Sequence, residues 1–187
     1  MRANWGDYLR CVCPSIFLMG ERVLILAAGI GSGHNIAAGV LESSFRAAAD
    51  VDEVHRLDIL ETTNEVYRTL YDDGYFALVE AAPWLVGWGY DANDPPFKLA
   101  KWIAMWDRIN TTSTARAIKA FRPTIAVCTH FLPTRMVSLM LTRGVLEAKL
   151  AVVTTDYDFQ GLWLTSPFNH FYVARAETKA YMDAIGV

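Results

Sequence analysis

The sequence predicts an α/β fold in which a parallel sheet is covered by helices on both faces. The apolar run Val23–Ala28 leads into a glycine-rich turn, Gly29–Gly33, a pattern typical of a buried strand that feeds a helix. Later apolar runs alternate with helical segments, which favours parallel strands joined by right-handed crossovers. The chain has 187 residues, 53% of them hydrophobic and 20% charged, so we expect one domain with one sizeable core.

Prolines and glycines delimit the later elements. Pro123 disfavours helix at the preceding residue and therefore ends a helix at Phe121. Pro133 begins the next helix, because a proline in the first turn loses no hydrogen bond, and Gly186 ends the last one. In chain order we predict a strand at 23–28, a helix at about 35–49, a strand at 53–57, a helical region of about 60 residues ending at 121, a strand at 124–129, a helix from 133 to about 143, strands at 150–155 and 170–173, and a helix at 177–185.

Residues 1–18 are predicted to be a disordered or spurious extension, and residues 19–187 to form the domain. The segment Met19–Arg22 leads directly into the first strand, whereas the stretch before it shows no periodicity. Its apolar part is interrupted by Pro14 and is short for the core of a secretory signal. It is also well below the roughly 20 residues that cross a bilayer.

Charge and cysteine content exclude some classes of function. A net charge of −3 without a dominant basic block argues against a partner that is a nucleic acid. Cys128 lies in an apolar run, so we expect a small core residue in a reduced, cytoplasmic chain rather than a nucleophile. Cys11 and Cys13 lack the spacing and the second pair of a zinc site. We therefore expect neither a metal nor a cofactor.

Polar residues follow several predicted strands at the point where each strand ends. Because the carboxyl ends of parallel strands meet at one edge of a sheet, we expect these segments to form a ligand-binding rim. They are Gly29–His34, Asp58 with Glu61, Thr129–Phe131, and Thr154–Asp158.

The glycine turn does not fit two common nucleotide motifs. A dinucleotide fingerprint needs a third glycine where this chain has His34, and a Walker A loop needs a lysine where none follows Gly33. The G-x-S-x-G elbow of α/β hydrolases is also missing.

The turn instead resembles the Gly-x-Gly-His entry of the monogalactosyldiacylglycerol synthase and diacylglycerol glucosyltransferase family, related to MurG-type glycosyltransferases. Further segments agree in order and spacing from Arg22 to Val187. The matching segments are Gly31–Ala38, Thr129–Pro133, Val152–Asp156, Trp163, Tyr172–Ala174 and Ile185-Gly186.

The resemblance implies the Rossmann-like, acceptor-binding N-terminal half of a GT-B fold. The nucleotide sugar, a co-substrate, would bind mainly a C-terminal domain that this chain lacks and that a separate reading frame would encode. The implied activity is transfer of a hexosyl group to a diacylglycerol-type lipid. The alternative, from a different class, is a non-catalytic lipid-binding or membrane-binding module derived from such an enzyme.

The resemblance and the chemistry of sugar transfer suggest roles for residues at the rim. An inverting transfer needs a base for the acceptor hydroxyl, and a neutral imidazole at a helix N-terminus is suited to it, so His34 is the candidate base. Asp156 would orient His34 or accept the hydroxyl proton. Acceptor binding is expected from Gly31, Gly33, Thr129 and His130. Each polar residue also has a structural interpretation: His34 and His130 as helix caps, and Asp156 as a loop cap.

The segment between the second and third strands suggests a membrane contact. A helix at 97–109 would carry Trp102 and Trp106 on an apolar stripe, with Lys98 and Lys101 on another side. Such a helix is typical of an interfacial segment on an anionic membrane, and it would make the chain a cytoplasmic, peripherally membrane-associated protein. A buried helix packed on the sheet is the other interpretation.

Overall fold

The fold consists of a five-stranded parallel sheet with helices on both faces. In a computed structural model of the chain, the described residues are 20–29, 32–63, 112–157 and 161–186, with 69, 81, 82 and 84 as single positions. The elements are β1 (Glu21–Ala27), α1 (Ser32–Arg46), β2 (Val51–Asp58), α2 (Ile59–Thr62), α3 (Thr112–Phe121), β3 (Ile125–Cys128), α4 (Phe131–Thr142), β4 (Lys149–Val153), a 3-10 turn (Gly161–Trp163), β5 (His170–Tyr172) and α5 (Ala176–Ile185).

The strand order is β2-β1-β3-β4-β5, and every neighbouring pair is parallel. Chain order therefore reverses direction at β1: β2 lies on one side of it and β3 on the other. The predicted α/β class with a Rossmann-like parallel sheet is confirmed.

Side chains alternate between the two faces of the sheet along β1, and every residue of this strand from Val23 to Ala27 is apolar. Leu24 and Leu26 belong to the core on one face, whereas Val23, Ile25 and Ala27 belong to the core on the other. The first core also takes side chains from α2, α3 and α4, and the second takes Ala38 and Phe45 from α1. A central parallel strand is buried on both faces, so it has no solvent side on which polar residues would be favoured.

Two helices begin earlier than the sequence predicts. The first begins at Ser32 rather than residue 35, and α4 begins at Phe131 rather than Pro133. In α4 the N-cap is His130, whose side chain accepts from the Leu132 N–H. Pro133 is then the third helical residue, where the backbone N–H would have no partner inside the helix, so proline costs nothing there.

Several predictions concern residues outside the described part of the chain. The extension 1–18 is among them, as are the membrane-contact residues Lys98, Lys101, Trp102 and Trp106. Among the single described positions, Trp84 is 73% exposed. None of the described helices is both long enough and apolar enough to span a membrane.

Asp58 ties the start of the glycine turn to the second strand. Its Oδ1 accepts from the backbone N–H of Gly29 at 3.1 Å and from that of Leu60 at 3.0 Å, so it also caps α2. A Cβ at position 29 would lie 2.7 Å from Asp58 Oδ2, closer than a carbon and an oxygen can approach. Any larger residue at position 29 would therefore have to displace the Asp58 carboxylate.

We expect Gly29→Ala to lower the free energy of unfolding by about 1–3 kcal/mol, because the added methyl group must displace the Asp58 carboxylate. The matched control is Gly33→Ala, where a Cβ would meet no atom within 4 Å. That control should change stability by less than about 1 kcal/mol. Urea denaturation of both variants measures the difference, and equal stabilities would contradict the role given to Asp58.

Candidate functional site

The candidate site lies where β1 and β3 end. In open parallel sheets, ligands bind beyond the carboxyl ends of the strands, where the strand order reverses. Here α1 brings His34 to that point, the link from β3 to α4 brings Thr129 and His130, and the segment after β4 brings Thr155 and Asp156. Three segments of the predicted rim therefore meet at His34, and Asp58 holds the start of the glycine turn through the Gly29 N–H.

The hydrogen bonds of His34 determine its neutral tautomer. Its Nδ1 lies 2.8 Å from the backbone carbonyl oxygen of Thr129. A carbonyl oxygen can only accept, so Nδ1 carries the proton and donates it. The Nε2 atom then keeps its lone pair, and no described residue forms a hydrogen bond with it. Because the side chain is only half-buried, this lone pair is suited to accept a proton from a ligand.

Thr129 holds His34 through a second hydrogen bond. Its Oγ1 donates to the backbone carbonyl of His34 at 3.1 Å, while its own backbone N–H donates to Leu26 at 3.0 Å. The side chain is fully buried. Thr129 therefore attaches the first turn of α1 to the ends of both β1 and β3.

His130 is a buried partner of His34. It is 2% exposed, and its Nδ1 accepts from the Leu132 N–H at 3.1 Å, so in the neutral ring the proton is on Nε2. The two imidazoles meet edge to face, with centroids 4.5 Å apart and planes at 84°. Burial, and to a smaller extent the electrostatic influence of the neighbouring His34 ring, hold the pKa of His130 well below its usual value of 6.5.

The two histidines thus have different chemistry. His130 stays neutral and has its Nδ1 occupied by a helix cap, whereas His34 exposes a lone pair at Nε2. The neutral ring of His130 therefore places no charge beside His34. The contrast between the environments of two neighbouring titratable groups is the arrangement expected of an acid–base site.

Asp156 contacts an indole. Its Oδ2 accepts from Trp163 Nε1 at 2.7 Å, and the Trp163 side chain is fully buried. The centroid of the Trp163 ring lies 6.4 Å from the centroid of the His34 ring. The described partners of His34 Nδ1 are Thr129 and Thr155, so Asp156 contributes to the site through Trp163 in this structure.

Thr155 is the residue that sequence analysis passed over. Its Oγ1 lies 2.7 Å from His34 Nδ1, although 121 positions separate the two residues in the chain. It belongs to the predicted polar segment after β4, but the neighbouring carboxylate was the only residue there given a role. The signal that could have found it is the threonine pair at the end of a buried strand.

The remaining predicted residues have simpler environments. Gly33 is exposed, and nothing lies within 4 Å of the position of its missing Cβ, whereas Gly31 is outside the described residues. Cys128 is fully buried in the core, which raises the pKa of its thiol to about 12 despite a hydrogen bond with Thr134. A thiol that stays protonated is a poor nucleophile. Within the described ranges, no three acidic, histidine or cysteine side chains cluster as a metal site would require.

The fold and the candidate site together define a Rossmann-like α/β domain with a histidine at the carboxyl edge of its sheet. A family model described as monogalactosyldiacylglycerol (MGDG) synthase matches residues 34–187, well over half of the chain, and the match begins at His34 itself. The chain belongs to the MGDG synthase family, which makes it a domain of the glycolipid glycosyltransferase class. Neither curated proteins nor solved structures gave a match. The resemblance noted in the sequence is confirmed.

We expect His130→Asn to weaken the dependence of stability on pH. The pKa of His130 is lowered in the folded protein, so the unfolded chain binds one more proton below about pH 6.5, and stability falls as the pH falls. The contribution is at most about 1.4 kcal/mol per pH unit. Asparagine can still cap α4 but does not titrate. Urea denaturation at pH 7.5 and 5.5 measures the slopes, and an identical slope in the variant would contradict the neutral state of His130.

The hydrogen bond between Asp156 and Trp163 predicts a coupling between two substitutions. Asp156→Ala should cost about 1–3 kcal/mol of folding free energy, because it leaves a buried indole N–H without its acceptor. In a Trp163→Phe background, the same substitution should cost much less. A double-mutant cycle measured by thermal and urea denaturation gives the coupling free energy. Additive effects would show that Asp156 does not stabilise the fold through Trp163.

Proposed function

We propose that the chain is the acceptor-binding domain of a GT-B glycosyltransferase that transfers a hexosyl group from a nucleotide sugar to a diacylglycerol-type lipid. Membership of the MGDG synthase family supports glycolipid synthesis in general. The single observation that carries the finer assignment is the tautomer of His34: a proton on Nδ1 and a lone pair on Nε2 at the ligand-binding edge. That arrangement is what a general base for an alcohol requires.

The proposed chemical step is an inverting displacement. The hydroxyl oxygen of the lipid attacks the anomeric carbon of the sugar, and His34 Nε2 takes the hydroxyl proton. The bond from that carbon to the nucleotide breaks, and the leaving diphosphate takes the electron pair. In the resulting imidazolium, the Nδ1–H still donates a hydrogen bond to the carbonyl oxygen of Thr129. This oxygen stabilises the charged ring in a role that a carboxylate performs in many acid–base histidines.

The other rim residues support His34 or leave space for the acceptor in this proposal. Thr129 and His130 are buried, so they serve the acceptor by holding His34 in place. Gly33 is exposed, and the open space above its Cα leaves room for the glycerol part of an acceptor. Gly31, outside the described residues, is included as an acceptor-binding residue on the sequence motif alone. Asp156 contributes to the site by accepting a hydrogen bond from the Trp163 indole.

The donor and the membrane complete the proposal. The nucleotide sugar would bind mainly a C-terminal domain, and the lipid would be taken from an anionic membrane surface on the cytoplasmic side. That membrane contact would be formed by Trp102, Trp106, Lys98 and Lys101, whose spacing fits the helix that the sequence predicts.

We expect His34→Asn to lower the rate of sugar transfer by about 10²–10⁴-fold, the usual effect of losing a general base. An asparagine amide can still donate to Thr129 but has no lone pair at the position of Nε2. Transfer is measured with the chain complemented by a sugar-nucleotide domain of the family, a panel of labelled nucleotide hexoses and diacylglycerol vesicles. Vesicle flotation serves as the control and should be unchanged.

Two outcomes would count against the proposal. Transfer retained by His34→Asn would eliminate His34 as the base. Binding to diacylglycerol vesicles without any transfer by the complemented wild-type chain would instead favour a non-catalytic lipid-binding module.

A further inference from the structure

The Thr155 hydroxyl takes part in a three-way contact with His34. Three elements meet at Nδ1 of that ring: α1 supplies the ring, the end of β3 supplies the Thr129 carbonyl at 2.8 Å, and the segment after β4 supplies Thr155 Oγ1 at 2.7 Å. Both oxygens are within hydrogen-bonding distance of one nitrogen, which has one hydrogen at most.

Counting protons assigns the direction of each bond. The carbonyl of Thr129 cannot donate, so the hydrogen belongs to Nδ1 and is shared between two acceptors. Thr155 Oγ1 must therefore accept from His34, and the hydroxyl hydrogen of Thr155 cannot be directed at Nδ1. No described residue other than His34 forms a hydrogen bond with this hydroxyl.

The backbone beside Thr155 is held firmly. The N–H of Thr154 donates to the Tyr172 carbonyl at 2.9 Å, and its hydroxyl lies 3.3 Å from the same oxygen. Thr154 is buried, whereas Thr155 is half-buried. The strand pair β4 and β5 thus places the Thr155 hydroxyl beside the ring of His34 and leaves part of it accessible to a ligand.

We propose that Thr155 has two roles: its oxygen positions the His34 ring, and its hydrogen is donated to a glycerol oxygen of the bound acceptor. This inference rests on the proposed function, because it takes the crevice beside His34 as the acceptor site. It adds a residue that binds the acceptor directly and that also fixes the base aimed at the same molecule. The Thr155 hydroxyl would then contact both His34 and the bound acceptor.

Substitutions at position 155 separate these roles from a merely structural one. Thr155→Val removes the oxygen and keeps the branched shape, whereas Thr155→Ser keeps the oxygen. The matched control is Thr142→Val on α4, whose hydroxyl donates to the Ser138 carbonyl within the helix, away from His34. All three are made in the full chain and checked by thermal denaturation.

The first measurement is binding of a short-chain diacylglycerol, titrated into the protein in detergent micelles. We expect Thr155→Val to weaken binding about tenfold, the effect of losing one hydrogen bond to the ligand. Thr155→Ser should bind within about threefold of wild type, and Thr142→Val should be unchanged. Unaltered affinity in Thr155→Val, or a loss that serine does not restore, would overturn the contact with the acceptor.

The second measurement follows His34 itself, by NMR of the chain labelled with ¹⁵N-histidine. The Nδ1–H signal should shift and exchange faster with water in Thr155→Val, because one of its two acceptors is gone, and Thr155→Ser should retain the wild-type signal. An unchanged signal in Thr155→Val would overturn the positioning role. Neither measurement requires sugar transfer, so a failure of His34 as the base appears separately, in the transfer assay of His34→Asn.

Discussion

The structure depends on the pair of hydrogen bonds between His34 and Thr129. One joins the imidazole Nδ1 to a backbone carbonyl, and the other joins the threonine hydroxyl to the backbone of His34. Together they fasten the first turn of α1 to the end of β3, across the point where the strand order reverses. The bond to the carbonyl selects the tautomer with the proton on Nδ1 and the lone pair on Nε2. The two hydrogen bonds that hold α1 against the end of β3 therefore also leave the lone pair of His34 on Nε2, where it can accept a proton.

Two imidazoles in contact show how environment divides labour between identical side chains. Burial and a helix cap keep His130 neutral, so it acts as a polar wall that does not compete for the proton. Next to it, the Nδ1 of His34, the proposed base, has a carbonyl and a hydroxyl as oxygen partners and no carboxylate. These groups are fixed by β3 and β4, so they require little reorganisation when charge develops on the ring.

The elements of the fold were largely predictable from the sequence, and the partners within the site were not. The apolar run of β1, the break at Pro123 and the final Gly186 all act within a few residues, where periodicity and caps carry the information. The sequence places the start of α4 at Pro133, two residues too late, because a proline is tolerated at the third helical position as well as at the first. The hydrogen bonds of His34 join residues 95 and 121 positions apart in the chain. Whether Thr155 or Asp156 contacts the ring depends on the direction of each side chain in the segment after β4. Nothing local in the sequence encodes that direction.

The carboxylate of Asp58 has a mechanical consequence. It is the last residue of β2, it caps α2, and it accepts from Gly29 immediately before the segment that leads to His34. Because one carboxylate oxygen accepts from both Gly29 and Leu60, the glycine just beyond the end of β1 and the first turn of α2 cannot separate without breaking a hydrogen bond.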